Sequence, residues 1–285
     1  MLCPALAMAR TMPIGGLSYT PSEVAHFADL EKGIDEAHLR KDITQLAATT
    51  REIRTYSVAF GLDRIPAIAA TLGLKVTLGV WLGRDRAVND AAIAKAITVV
   101  NANPQVITRV IVGDETLQRG DASVKDVIAA MAEVRRGIKA TGISVGTAEN
   151  WYMWLDNAGL VAASDFIAAH INPYWDGVAV NDAPADVVTR YDALAQKFPG
   201  KPIVIGETGW PSSGPVRQGA VPSPENQAHF IKAFTALARV RGYTYFVIEA
   251  YDQPSKVERG EDPCIWGLFD MHRVPKPAAV QFSPP

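Results

Sequence analysis

Two glutamates stand where an acid is costly to place. Glu115 closes the run VIVGDET, and Glu207 closes PIVIGETGW. A carboxylate directly after such an apolar run is drawn toward a partly buried position, which is expensive unless the charge is paired. Taken singly, each fits a salt-bridged strand end. Taken together they fit a specific chemistry. One carboxylic acid protonates a glycosidic oxygen while a second carboxylate, about 5–5.5 Å away, attacks the anomeric carbon. The first group then serves as base toward water or an alcohol. Six tryptophans accompany them: Trp81, Trp151, Trp154, Trp175, Trp210 and Trp266. Each falls at or just after an expected strand end. Indole faces stack on the apolar faces of pyranose rings, and the N–H is a donor; Trp154 is the one that reads most simply as loop packing.

Other chemistries find less support. Among the five histidines, His26, His38, His170, His229 and His272, there is no His-Glu-x-x-His and no His-x-His after the first strand. A metal-dependent barrel enzyme is therefore disfavoured, and neither a metal nor another cofactor is expected. His170 alone falls in an expected strand and reads as a satisfied core residue. Ser212 and Ser213 follow a Gly-Trp-Pro turn without a Gly-x-Ser-x-Gly elbow, which speaks against a serine hydrolase. Cys3 and Cys264 define neither a disulfide framework nor a zinc site.

The elements that must hold these groups follow from periodicity. Short apolar runs at 14–19, 53–58, 75–82, 109–112, 143–147, 166–171, 202–206 and 245–250 read as strands buried on both faces, as parallel strands are. Helical spacing separates them. Leu39, Ile43 and Leu46 share a face, as do Val124, Ile128, Met131, Val134 and Ile138, and Phe230, Phe234 and Leu237. Ser123 with Asp126 resembles a capping box, and Gly73, Gly142, Gly200 and Gly242 fall where helix C-caps belong. Eight such units in 285 residues, 48% hydrophobic, fit a single α/β domain, a (β/α)8 TIM barrel, with its chemistry at the C-terminal strand ends. A doubly wound open sheet lacks its Gly-x-Gly-x-x-Gly turn here. Residues 1–12 are expected to be an N-terminal extension or the stub of a leader, since MLCPALAMAR is short and broken by Pro4. A net charge of −2 with no basic stripe argues against nucleic acid, and no apolar run approaches the roughly 20 residues of a membrane span.

The segments RTYS, VGDET, NPYW, GETGWPSSG, EAYDQPSK and WGLFD, in that order from residue 54 to 270, resemble those of glycoside hydrolase family 17, in clan A. The similarity is greater to bacterial and fungal β-1,3-glucan-active members than to plant endoglucanases. The resemblance implies Glu207 as nucleophile and Glu115 as acid/base. It implies that Tyr56 lines the glucosyl subsite, that Tyr174 hydrogen-bonds the nucleophile, and that Trp210 and Trp266 wall the sugar site. Lys256, Glu249 and Asp252 would form a polar cluster after strand eight, with Gln253 at its edge where related segments often carry Glu. Trp81, Glu149, Trp151, Asn172 and Trp175 complete the expected substrate-binding set. Asp114 stands where the family usually has Asn, so it accepts where an amide would donate, and its charge is expected to make Glu115 hold its proton more tightly. The implied activity is retaining cleavage or transfer of β-1,3-glucan, with laminari-oligosaccharides as donor and acceptor. A plain hydrolytic endo-β-1,3-glucanase and a catalytically weak glucan-binding barrel are the alternatives. A monomer, free or as a domain of a larger membrane protein, and a periplasmic or extracellular setting complete the expectation.

Overall fold

All eight apolar runs form strands, and they close on themselves. The computed structural model describes residues 13–260, 263 and 265–282; residues 1–12 and both cysteines lie outside the described residues. β1 (Leu17–Ser18), β2 (Glu52–Arg54), β3 (Lys75–Val80), β4 (Ile107–Asp114), β5 (Ser144–Asn150), β6 (Ile167–His170), β7 (Ile203–Thr208) and β8 (Thr244–Val247) pair in sequence order as a closed parallel barrel. The helices α1 (Phe27–Glu31), α2 (Glu36–Ala47), α3 (Ile65–Thr71), α4 (Arg86–Ala102), α5 (Val124–Gly137), α6 (Trp151–Leu155), α7 (Ala158–Ala163), α8 (Ala183–Lys197), α9 (Pro224–Arg241) and α10 (Pro277–Val280) lie between and after them. Among the described residues no helix is long and apolar enough to cross a membrane.

Local chemistry sets the helix ends. Asp35 caps α2 by accepting from His38 N–H at 2.8 Å, and Ser123 with Asp126 closes the expected capping box on α5. α9 starts at Pro224 after the cap Ser223 and ends on Gly242, whose φ of 68° suits glycine. Two helix faces differ from the sequence reading. On α5 the buried stripe is Val127, Ala130, Met131 and Val134, so Val124 and Ile128 lie at its border. On α9 Ala238 is buried and Leu237 is 38% exposed, because the stripe through Gln227, Phe230, Ile231 and Phe234 continues to 238.

Alternation along the strands defines two cores. Val110, Val112, Ile167, Ala169, Ile203, Ile205, Tyr245 and Val247 pack in the large core with the helices. Their neighbours Ile111, Ala168, Val204 and Phe246 join Ala148 and Phe166 in a separate small cluster, the barrel lumen. The same parity turns Arg54, Asn150 and His170 toward the lumen and Glu149 away from it. Beyond an early shift in β4, where Val76 pairs with Ile107 but Thr77 with Arg109, two irregularities near the strand ends break the parity. Ile111 pairs with Gly146 but Asp114 with Ala148, and Ile205 pairs with Tyr245 but Thr208 with Val247. Each is one extra residue on β4 or β7, a bulge of the kind that re-aims side chains at active sites. Without them Asp114 and Glu207 would face the helices.

Candidate active site

Glu115 follows the β4 bulge on a backbone that few residues adopt. Gly113 has φ +84° and Glu115 itself φ +49°, in the left-handed region that costs a side chain about 1–2 kcal/mol. Surrounding bonds hold it there. Glu115 N–H donates to Ala148 O at 2.8 Å, and Glu115 O accepts from Arg119 N–H at 2.9 Å. Thr147 Oγ1 donates to Gly113 O at 3.1 Å, and the Arg119 guanidinium reaches Asp114 O and, at 2.8 Å, Leu82 O. The Glu115 carboxylate accepts from Asn150 Nδ2 at 3.1 Å and lies 2.9 Å from His170 Nδ1.

Glu207 is buried in the lumen mouth. Its Oε1 accepts from Arg54 Nη1 at 2.9 Å and from the Tyr56 hydroxyl at 2.7 Å, while Oε2 stands 3.7 Å from His170 Nδ1. One ring nitrogen therefore lies between both carboxylates. Their nearest oxygens are no farther apart than the sum of the 2.9 Å and 3.7 Å contacts. Arg54 also donates to Gly206 O at 2.7 Å and pairs with Asp114, so one guanidinium ties β2 to β4 and β7 across the lumen.

Charge is matched inside this cluster. Burial disfavours the His170 cation, but Glu207, Asp114 and the hydrogen bond to Glu115 push its pKa up to about 10. Burial would likewise raise Asp114, but Arg54 and His170 hold its carboxyl well below the usual carboxylate range. Arg54 and His170 thus face the carboxyl groups of Asp114 and Glu207, with Glu115 on His170 as well. Asp114 itself pairs with Arg54 and lies 3.4 Å from His170 Nε2. Asp114, His170 and Glu207 also bring one ligand-type atom each within 4.8 Å of one another. Arg54 pairs with both carboxylates of this trio, which are thereby engaged in internal ion pairing.

The other expected residues divide. Tyr56 meets Glu207, and Tyr174 does not hydrogen-bond the nucleophile as expected, because its hydroxyl donates to Pro215 O at 2.6 Å. Trp210 is wholly buried, with its N–H on Val221 O at 3.1 Å, and so supports Tyr174 and Phe230 rather than offering a face to a sugar. Trp266 is 5% exposed and packs 5.5 Å from Trp175, which is 41% exposed. Trp81 is exposed, with the Arg119 guanidinium over its ring, and Trp151 lies under Arg190. Trp154 is core, with its N–H on Ala168 O. Asn172 leaves its buried Oδ1 without a hydrogen-bond partner among the described residues.

Among the described residues, the cluster expected after strand eight includes two ion pairs: Lys256 with Glu249 at 2.7 Å, and Lys276 with Asp252 at 2.5 Å. Gln253 is buried, with its amide donated to Pro21 O at 3.0 Å, so it fastens a loop rather than edging the site. Glu149 is buried on the outer side of β5, away from the lumen, and accepts from Leu117 N–H at 2.8 Å. Arg54, Asn150 and His170 escaped the sequence reading, His170 having been assigned to the core. Their common signal is even numbering along the lumen-facing side of β2, β5 and β6, level with the acids.

Residues 16–265 match the BtgE/BtgC glycoside hydrolase domain. A putative glucan endo-1,3-beta-glucosidase of Aspergillus niger is 30% identical over 92% of this chain, which spans only 42% of that protein's length. A glucan 1,3-beta-glucosidase of Arthroderma benhamiae is 29% identical over 85% of this chain and 84% of its own. Among solved structures, the family 17 β-1,3-glucanosyltransferase of Rhizomucor miehei superposes with a TM-score of 0.82 at 25% identity, covering 95% of this chain and 98% of that one. An active-site mutant of that enzyme, in complex with laminaritriose, superposes with a TM-score of 0.81.

Proposed function

Since this chain belongs to the BtgE/BtgC glycoside hydrolases, within glycoside hydrolase family 17, we propose that it cleaves β-1,3-glucan with retention and passes the glucanosyl unit to a second sugar. The observation that carries the reading is the single His170 Nδ1 between Glu115 and Glu207. The nearest oxygens of the two groups are thereby held close together, which favours the short separation of retaining enzymes over the about 6.5–9.5 Å that inverting enzymes need to seat a water. Tyr56 and Arg54 fix Glu207 Oε1 and leave Oε2 to attack the anomeric carbon. As the C–O bond to the leaving sugar breaks, Glu115 gives its proton to the departing oxygen. An ester between Glu207 and the glucosyl carbon results. Glu115, now a carboxylate, takes the proton of an incoming hydroxyl, whose oxygen displaces Glu207. Asn150 and His170 hold Glu115 in reach of both oxygens. The names of the relatives and the laminaritriose bound by one of them support the substrate. A polymeric glucan in turn supports a periplasmic or extracellular site of action.

The roles separate with an activated aryl β-glucoside and azide. Glu207→Ala should lose turnover and regain it with azide as the α-glucosyl azide. Glu115→Ala should still release the aryl group and give the β-azide, because a good leaving group needs no acid whereas every donor needs the nucleophile. Exchange of the two anomers would reverse the assignment, and failure of both variants and of the wild type to consume donor would reject the glycosidase reading.

A further inference from the structure

Glu149 is a buried carboxylate that the reaction as described leaves without a task. It lies on β5 with the parity that faces away from the lumen, wholly shielded from solvent. Its Oε1 accepts from Leu117 N–H at 2.8 Å, and its Oε2 from Gln118 N–H at 3.4 Å. These amides belong to the second and third residues after Glu115. Gln118 in turn accepts from Asn150 Nδ2 at 2.8 Å and from the Tyr152 hydroxyl at 2.7 Å, and Asn150 Nδ2 also donates to the Glu115 carboxylate.

We propose that Glu149 is a positioning residue: its carboxylate grips the turn that follows Glu115 and so sets the angle at which Glu115 meets the glycosidic oxygen, without touching the sugar. The inference rests on the retaining reading above. The physical case begins with the Glu115 backbone. A non-glycine at φ +49° persists only where its surroundings over-determine it. Toward the N-terminus, Thr147 and Arg119 fix the carbonyls of Gly113 and Asp114. At Glu115 itself, Ala148 O takes the N–H. Toward the C-terminus, Glu149 supplies its two oxygens to the N–H groups of Leu117 and Gln118. Two adjacent amides converging on one carboxylate form a charge-assisted grip stronger than neutral bonds. Burial raises the Glu149 pKa to about 7, opposed by the Leu117 and Gln118 amides, so the grip loosens as the carboxylate gains its proton on the acid side of neutrality.

Purified Glu149→Ala and Glu149→Gln are compared with wild type on laminari-oligosaccharides, and on an activated aryl β-glucoside with azide. The first substrate requires proton transfer from Glu115 and the second does not. A misplaced acid can cost about 100-fold, so Glu149→Ala should fall by that order in kcat on the oligosaccharide. Glu149→Gln, which keeps a carbonyl acceptor for Leu117 but turns an amide NH2 donor toward the Gln118 N–H, should fall less. Both should stay within about threefold of wild type on the activated donor with azide, where acid–base catalysis is bypassed. The wild-type profile of kcat on oligosaccharide should also carry an acid limb near 7 that Glu149→Gln lacks. Equal losses on both substrates in variants that melt like wild type would overturn the proposal, as would no loss on either. If Glu149→Ala does not fold, Glu149→Gln decides. A wild-type protein inert on both donors would instead remove the glycosidase reading, and the role of Glu149 with it.

Discussion

His170 shows how much one side chain can carry without announcing itself in sequence. An isolated histidine in an apolar strand most simply fills a core, yet its register on β6 turns it to the lumen between Glu115, Glu207 and Asp114. Arg54 was equally legible in principle. A guanidinium inside a strand buried on both faces has to find anions, and Arg54 finds Asp114 and Glu207 at the strand ends. Glu115 and Glu207 were legible because a carboxylate after an apolar run has few cheap explanations. Tyr174 and Trp210 were misplaced because hydrogen-bond direction and full burial depend on loop paths that residue types do not encode. The shifted His170 pKa has a consequence for stability. In the unfolded chain its imidazole titrates near about 6.5. In the fold, burial opposes the cation but the surrounding acids hold it to about 10. The folded state therefore binds this proton more tightly. The stabilisation is complete below the unfolded value and is lost as pH rises through about 10. Thermal melts across that window should show the wild-type Tm falling toward alkaline pH. His170→Gln should melt lower at neutral pH, where it leaves buried acids less compensated, and should narrow the gap as pH rises. A constant gap between the two proteins would mean that the ring is not held as a cation.

The strands as elements were readable because parallel barrel strands are apolar on both faces and return at regular intervals. The bulges in β4 and β7 were not. A single extra residue leaves composition and spacing almost unchanged while it reverses which side chains face inward. Exact strand parity, counted from Ile111, would send Asp114 to the helices. Gly113 is the hinge of the β4 bulge. Its φ is +84°, and a Cβ there would come within 2.7 Å of Thr116 Oγ1 and 3.3 Å of Thr147 Oγ1. Gly113→Ala should therefore cost about 1–2 kcal/mol from the backbone conformation alone. It should also lower kcat on laminari-oligosaccharides disproportionately, because relief of the strain swings Glu115. Chemical denaturation with parallel rate measurements checks both. A variant as stable and active as wild type would show that the bulge tolerates a side chain and does not set the direction of Glu115.

At the scale of the whole molecule, the barrel gathers loops from four strands into one rim. Trp81 follows β3, Trp151 follows β5, Trp175 follows β6, and Trp266 lies beyond β8. The acceptor side of the proposed transfer is assigned to the arc between β4 and β7, where Trp151 and Trp175 stand. Trp175 is the more exposed, while Arg190 already covers part of Trp151 at 5.1 Å. Stacking is worth about 1 kcal/mol, so Trp175→Ala should lower the ratio of transfer to hydrolysis several-fold, and Trp151→Ala less, with donor consumption changed little in either. Chromatography of products at millimolar laminari-oligosaccharide reads the ratio directly. Products only shorter than the donor at every concentration would leave a plain glucanase, and an unchanged ratio in both variants would move the acceptor elsewhere. The closure that makes this rim possible is thin at one place. β1 has two residues, and its register with β8 is the single pair Leu17 and Val247. Two flanking bonds support it, Val247 N–H to Gly16 O at 3.0 Å and Ala250 N–H to Ser18 O at 2.9 Å. A closed barrel has no free edge for another chain to extend. Should heat part this seam, β1 and β8 would both become edges at once, each able to pair with the opposite edge of a neighbouring copy. The order of strands would then continue from molecule to molecule, and clotting on heating would begin at the barrel's shortest strand.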